Sequence, residues 1–240
     1  MTARDRLILA LDLPDPKEAI QLVDALSGQI RLFKVGSTLF TAAGPALVQE
    51  IQKRGAAVFL DLKFHDIPNT VAGAVLQAAR LGVRMLTLHT LGGKEMMRRA
   101  VDQLRETAQR EQTAPPLLLG VTILTSFDPP TLQETLSTPS SVEEMVLHLA
   151  RLAEETGMDG AVASPQELTL LRSDLPPSFR LVTPGIRLLS GAHHDQKRPA
   201  TPQQAIAAGA DYIVVGRPIL ESKNRSETIE AILREMEPPR

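Results

Sequence analysis

The segment of this 240-residue chain with the most chemical potential is 57–70, AVFLDLKFHDIPNT. It places Asp61 and Lys63 two residues apart, and Asp66 follows three residues later. Alternate residues of a strand point to the same face, so a strand here would set Asp61 beside Lys63. A lysine among carboxylates stays charged and can donate a proton to a reacting atom. We therefore predict an acid–base cluster, with a structural salt-bridge network as the alternative.

A second lysine, Lys34 in the motif FKVG, ends a neighbouring apolar run and balances the second carboxylate. Lysines on both sides of Asp61 oppose the binding of a divalent cation. The chain also has no cysteine and no histidine pair at metal-binding spacing. The predicted catalytic residues are therefore Lys63, Asp61, Asp66 and Lys34, and no metal is expected.

Polar residues also end most of the other apolar runs. Asp12 ends the first, His89 the fourth, and Thr125 and Ser126 follow the fifth. His89 is interpreted as a structural polar residue. The last run leads into Gly216 and Arg217, and the seventh leads to Arg187. Two guanidinium groups after the last two strands of a barrel are suited to binding a phosphate.

The elements that must position these residues are short apolar runs with almost no polar alternation, which is typical of strands covered on both faces. Helical spacing recurs between them, as at 16–26 and 45–54, whereas 131–141 is predicted to be a loop or a broken helix. Eight strand–helix units at about 30 residues each predict one (β/α)8 barrel domain over residues 1–240, with a doubly wound open sheet as the alternative. The predicted strands are 7–11, 32–35, 57–62, 85–89, 117–121, 160–163, 181–182 and 212–215.

Composition excludes several classes of protein. The net charge of −2 gives no basic surface for nucleic acid, and the absence of cysteine rules out disulfide frameworks and thiol nucleophiles. No apolar run reaches the roughly 18 residues of a membrane span, and the N-terminal residues do not form a signal peptide. We therefore expect a cytoplasmic protein with no nucleic-acid or membrane partner.

The motifs together resemble the orotidine 5′-phosphate decarboxylase family over nearly the whole chain. DLKFHDIPNT at 61–70 carries the resemblance, and other motifs follow in the family's order: LALD at 9–12, FKVG at 33–36, LTLHTLGG at 86–93, VTILTS at 121–126, PGIR at 184–187, DQKR at 195–198 and VVGRPI at 214–219. The resemblance implies conversion of orotidine monophosphate to uridine monophosphate and CO2 in de novo pyrimidine biosynthesis. It also implies a homodimer with shared active sites and no metal or organic cofactor.

Carried over position by position, the resemblance makes Lys63 the proton donor to C6 of the pyrimidine and sets Asp61 against the substrate carboxylate. Lys34 and Asp66 complete a charged tetrad, in which Asp66 reaches into the partner's site. The implied substrate-binding residues are Asp12, Lys34, Asp61, Thr70, Thr125, Ser126, Arg187, Gln196, Gly216 and Arg217. His193 and His194 fall in a loop that varies in the family.

Two other functions fit parts of the pattern. One is a magnesium-dependent relative similar to 3-keto-gulonate-6-phosphate decarboxylase, but Lys34 stands where that relative is expected to carry an acid. The other is a barrel that binds a nucleotide phosphate without catalysis. A lysine between two acids argues against the second function, because simple binding has no need of it.

Overall fold

The computed structural model describes residues 1–188 and 200–237. Its eight strands are all parallel and close into a barrel, because β8 pairs with β1 as well as with β7. The strands are β1 Leu7–Ala10, β2 Leu32–Gly36, β3 Ala57–Phe64, β4 Met85–His89, β5 Leu117–Val121, β6 Gly160–Val162, β7 Arg180–Thr183 and β8 Tyr212–Val215. The predicted (β/α)8 barrel is confirmed, and the open sheet does not form.

Helices surround the barrel and connect successive strands. The α-helices are α1 Ala3–Arg6, α2 Pro16–Leu26, α3 Ser37–Lys53, α4 Pro68–Arg80, α5 Gly93–Glu111, α6 Pro129–Leu136, α7 Val142–Glu155, α8 Leu168–Asp174, α9 Pro202–Ala207, α10 Arg217–Leu220 and α11 Arg225–Glu235. Short 3-10 helices lie at Thr90–Gly92 and Pro165–Glu167. None of the helices in the described ranges is long and apolar enough to cross a membrane.

One helical prediction needs correction, and for 131–141 the structure shows the broken helix, one of the two predicted alternatives. Helix α3 begins at Ser37, eight residues before the predicted start, and bends where Gly44 adopts φ 61° and ψ −157°. Gly44 tolerates this conformation and Pro45 lacks an N–H, so the predicted helix at 45–54 is only the second part of a kinked one. The polar segment 131–141 is helical as far as Leu136, because the Asp128 side chain caps α6.

The core has two layers because successive residues of each strand point in opposite directions. Leu7 and Leu9 of β1 pack outward against the helices, whereas Ile8 and Ala10 point into the barrel. Inward-pointing apolar side chains from all strands but β6 fill the barrel centre, and Val162 of β6 packs against them. The polar side chains at the carboxyl ends of the strands therefore lie above a closed apolar floor.

Strand β3 is irregular where it carries the predicted catalytic residues. Its pairing with β4 runs regularly to Leu60 opposite Leu86, and then jumps to Phe64 opposite Leu88. Four residues of β3 thus span the distance that two residues of β4 span, which is a β-bulge. Within it Lys63 has a left-handed backbone with φ 51°, which is uncommon for a residue other than glycine.

Candidate active site

Two lysines share one carboxylate at the carboxyl ends of β2 and β3. Lys63 Nζ lies 2.8 Å from Asp61 Oδ2, and Lys34 Nζ lies 3.5 Å from the same oxygen. Lys34 Nζ also donates a hydrogen bond to Asp12 Oδ1 at 3.0 Å, just beyond the end of β1. We call Lys34, Asp61 and Lys63 the charged cluster. It carries a net charge of +1 when all three groups are ionised.

Burial and opposite charge act against each other in the charged cluster. The Asp61 and Lys34 side chains are both 11% exposed, whereas that of Lys63 is 34% exposed. Burial raises the pKa of Asp61, but the charges of Lys34 and Lys63 outweigh it and hold that pKa below its ordinary value. Burial lowers the pKa of Lys34, but Asp61 and Asp12 together raise it above its ordinary value. Asp61 and Lys34 are therefore charged at neutral pH.

The contact between Lys63 and Asp61 depends on an irregular backbone and not on the regular alternation of side chains along a strand. The bulge and the left-handed backbone of Lys63 interrupt the period of two between these residues. The Lys63 N–H donates to Thr87 Oγ1 at 2.9 Å instead of joining the regular ladder between strands. The predicted proximity is thus correct, but the predicted reason for it is wrong.

Asp66 lies apart from the charged cluster of its own chain. It is exposed, and its Oδ1 accepts a hydrogen bond from the backbone N–H of Ile67 at 2.6 Å. No ion pair between described residues joins Asp66 to Lys34 or Lys63. Thr70, in the first turn of α4, is exposed as well. The expected tetrad is therefore not assembled within the single chain, and Asp12 is the second carboxylate that contacts Lys34.

The two predicted arginines lie around the same opening as the charged cluster, which we call the mouth cavity. Gly185, with φ 85°, turns the chain after β7 and is followed by Arg187, whose Nη1 donates to the Ile186 carbonyl at 3.1 Å. Gly216 follows β8 and precedes Arg217, the first residue of α10. The predicted site residues that line the mouth cavity are Asp12, Lys34, Asp61, Lys63, Thr125, Arg187, Gly216 and Arg217.

A further predicted substrate contact lies outside the mouth cavity. Ser126 is exposed in the turn after β5 and lies outside the lining of the mouth cavity. Gln196 lies outside the described residues, as do His193 and His194, so these predictions stay predictions.

An apolar wall was missed in the sequence. Phe59, Val121, Ile123, Val162 and Val214 line the mouth cavity together with the charged cluster and the arginines. Alternate side chains of a strand point to the same side, so Phe59, for example, could have been predicted to point inward from Asp61, two positions further along the chain. The cavity thus combines charged side chains with an apolar surface, which suits a molecule with a flat ring and an anionic group.

Thr87 is a polar residue next to the charged cluster that the sequence analysis did not predict as a site residue. It is fully buried on β4, two residues before His89, and its Oγ1 donates to Asp61 Oδ1 at 3.0 Å. His89 itself lies beside the exposed His65, with ring centroids 5.5 Å apart. Burial first, and then the charges of His65 and Lys63, lower the pKa of His89. His89 is absent from the lining of the mouth cavity, in keeping with a structural role.

The described side chains near the charged cluster do not form a metal site. Among the described residues, no three His, Cys, Asp or Glu side chains come together as a potential metal site. Each carboxylate near the cluster faces a lysine, which occupies the position a cation would need. The absence of a metal cofactor stays a prediction for the complete protein.

Comparison with known proteins identifies the family of this chain. The model of the orotidine 5′-phosphate decarboxylase / HUMPS family matches residues 5–232. Proteins called orotidine 5′-phosphate decarboxylase from Syntrophotalea carbinolica and Geobacter sulfurreducens are each 50% identical over 234 residues, which is 98% of this chain and 96% and 97% of theirs. A crystal structure of orotidine 5′-phosphate decarboxylase from Lactobacillus acidophilus superimposes with a TM-score of 0.81 at 37% identity, covering 96% of this chain and 98% of that one.

These similarities extend over the whole barrel rather than over one motif, and they include every strand that supplies a residue to the mouth cavity. The resemblance seen in the sequence motifs is confirmed. The chain belongs to the orotidine 5′-phosphate decarboxylase / HUMPS family.

Proposed function

We propose that this protein decarboxylates orotidine 5′-phosphate to uridine 5′-phosphate, with Lys63 as the proton donor to C6 of the pyrimidine. The observation that carries the proposal is the buried Asp61 carboxylate, held by two lysines in a cavity that two arginines also line. The names of the similar proteins support the same reaction.

The reaction breaks the bond between C6 and the carboxylate carbon. Carbon dioxide leaves without the bonding electron pair, which stays on C6 as a carbanion. The Lys63 ammonium then gives a proton to C6 and becomes a neutral amine. Because the Lys63 side chain is 34% exposed, water can return the proton and restore the starting state.

The charged cluster favours this step electrostatically. The Lys63 ammonium, which lines the mouth cavity, stabilises negative charge developing on C6, and the charges of the cluster are in place before the reaction begins. In our proposal Asp61 lies against the carboxylate of the substrate. Repulsion between the two carboxylates is relieved when neutral carbon dioxide leaves.

The remaining residues of the site bind parts of the substrate that do not react. We assign the phosphate to Arg187, Gln196, Gly216 and Arg217, because guanidinium groups bind phosphate oxygens in a bidentate manner. Asp12 and Lys34 take the ribose hydroxyls. Binding energy gained at the phosphate can order the site around the distant C6.

Thr125, which lines the mouth cavity, takes the pyrimidine, whereas the contact expected of Ser126 has no support from the cavity lining. The apolar wall of Val121, Ile123 and Val214 would pack against the pyrimidine ring.

The proposal includes a homodimer in which Asp66 and Thr70 serve the partner's site. Both residues are exposed, and Asp66 makes no contact with the cluster of its own chain. Ile67, which follows Asp66 in the chain, is 67% exposed, and Leu91 after β4 is 41% exposed. Exposed apolar groups next to polar ones are typical of protein interfaces. We place this enzyme in cytoplasmic pyrimidine biosynthesis.

The test is the loss of orotidine monophosphate absorbance with purified protein in excess chelator. We expect full activity with EDTA, and no increase when magnesium is added, because lysines already neutralise the carboxylates of the site. The Lys63→Ala protein is the control for contaminating activity. Activity that disappears in EDTA and returns with magnesium would favour the metal-dependent relative. Tight nucleotide binding without turnover would favour a binding protein.

A further inference from the structure

The hydroxyl of Thr87 joins the two central residues of the charged cluster. Its Oγ1 accepts a hydrogen bond from the Lys63 backbone N–H at 2.9 Å and donates one to Asp61 Oδ1 at 3.0 Å. Thr87 is 0% exposed and lies on β4, across the bulge in β3. It is absent from the lining of the mouth cavity, so it acts from behind the site.

The directions of these two hydrogen bonds are fixed by chemistry. A backbone N–H can only donate, and an ionised carboxylate can only accept. A hydroxyl has one hydrogen and two lone pairs, so it satisfies both partners at once. A valine of the same shape satisfies neither of them.

Each contact has a consequence for the site. With Oδ1 of Asp61 on Thr87, its Oδ2 is left for Lys63 at 2.8 Å and Lys34 at 3.5 Å, which fixes the rotation of the carboxylate. The second contact satisfies the Lys63 N–H at the point where the regular pairing of β3 and β4 is interrupted. A left-handed lysine backbone persists only where its surroundings hold it.

We propose that Thr87 is a positioning residue for decarboxylation: one hydroxyl holds both the left-handed backbone of Lys63 and the orientation of Asp61. The inference rests on the proposed function. It concerns the step at C6 and not the capture of the nucleotide, because the arginines that would hold the phosphate lie beyond the ends of β7 and β8 and not on β3 or β4.

The experiment compares two substitutions at this position with a matched control. Thr87→Val keeps the shape and removes the hydroxyl, and Thr87→Ser keeps the hydroxyl and removes the methyl group. Thr90→Val is the control, since Thr90 is also 0% exposed and its Oγ1 donates to the Val121 carbonyl at 2.9 Å, away from the cluster. For each protein kcat, KM and the Kd of uridine monophosphate are measured, with circular dichroism as the test of folding.

We expect Thr87→Val to lower kcat by about 10- to 100-fold, the size of a lost hydrogen bond to a charged group. The Kd of uridine monophosphate should stay within about threefold of the parent, because phosphate and ribose contacts are intact. Thr87→Ser should keep kcat within about threefold, and Thr90→Val should do the same. A crystal structure of Thr87→Val should show Lys63 with a changed backbone or Asp61 rotated.

Several results would overturn the inference. These are a kcat of Thr87→Val within threefold of the parent, an equal loss in kcat and in nucleotide affinity, or an equal loss of kcat in Thr90→Val. If Thr87→Val does not fold, Thr87→Ser decides: a tenfold loss of kcat with the hydroxyl retained contradicts the proposal. An inactive parent protein would instead refute the proposed function, and the inference with it.

Discussion

Replacing Asp61 by asparagine tests whether the contribution of an ion pair in this site to the free energy of unfolding depends on burial rather than on distance. The substitution keeps the shape and the oxygen that accepts from Thr87, but it removes the negative charge shared by Lys34 and Lys63. Lys34 then keeps only Asp12, whose side chain is 58% exposed. The matched control is Asp12→Asn, which removes the other carboxylate on the same lysine at a shorter distance of 3.0 Å.

The expected cost follows from the geometry. At 3.5 Å and an effective dielectric constant of about 20, the attraction between Lys34 and Asp61 is about 5 kcal/mol. Asparagine avoids the dehydration of a buried charge, which offsets part of this loss. Removing one partner of a buried pair costs about 3–5 kcal/mol, and we expect about 3 kcal/mol because Asp12 still faces Lys34. Lys63, whose side chain is 34% exposed, adds less than Lys34 because water screens part of its charge. Asp12→Asn should cost about 0–1 kcal/mol, as for exposed pairs.

Urea denaturation followed by circular dichroism measures both values. The pKa of Asp61 is lowered in the folded protein, so its contribution is complete above its ordinary pKa and is lost as pH falls through the folded value. The pKa of Lys34 is raised, so its contribution is lost as pH rises through its folded value. The gap between the parent and Asp61→Asn should be constant from about pH 5 to 8 and close below about pH 4. Equal costs for Asp61→Asn and Asp12→Asn, or a gap that widens in acid, would refute the reasoning.

Three further results are expected. Lys63→Ala should abolish turnover while uridine monophosphate still binds, because the proposed phosphate and ribose contacts lie outside β3; turnover within tenfold of the parent would contradict its role. Arg217→Ala should lower kcat/KM for the nucleotide by an amount that corresponds to about 1.5–3 kcal/mol, and it should lower kcat/KM for the nucleoside by less. An equal loss of kcat/KM for the nucleotide and the nucleoside would exclude a contact between Arg217 and the phosphate. Refolding a mixture of inactive Lys63→Ala and Asp66→Ala chains should restore about a quarter of the parent activity, since half the dimers are mixed and one of their two sites is intact. No recovery in mixed dimers verified by mass spectrometry would place Asp66 in its own chain's site.

Much of the site was predictable because the fold itself was predictable. Apolar runs repeating about every 30 residues indicate a closed barrel, and the carboxyl ends of its strands converge on one opening. From that alone Lys34, Asp61 and Lys63 belong together with Arg217, although Lys34 and Arg217 are far apart in the chain. The apolar wall follows from the same alternation, once the inward direction of each strand is known.

What the sequence by itself determined is which residue types end each strand, and hence the chemistry available at the opening. Only the tertiary structure decided which atoms meet. The bulge that turns Lys63 left-handed depends on how β3 and β4 pair, and so does the contact between Thr87 and Asp61. Asp12 rather than Asp66 reaches Lys34, because Asp66 lies past the strand end and faces outward. Spacing along a chain fixes the period of a strand, but stagger between strands comes from closing and packing the barrel, and it has no local signature in the sequence.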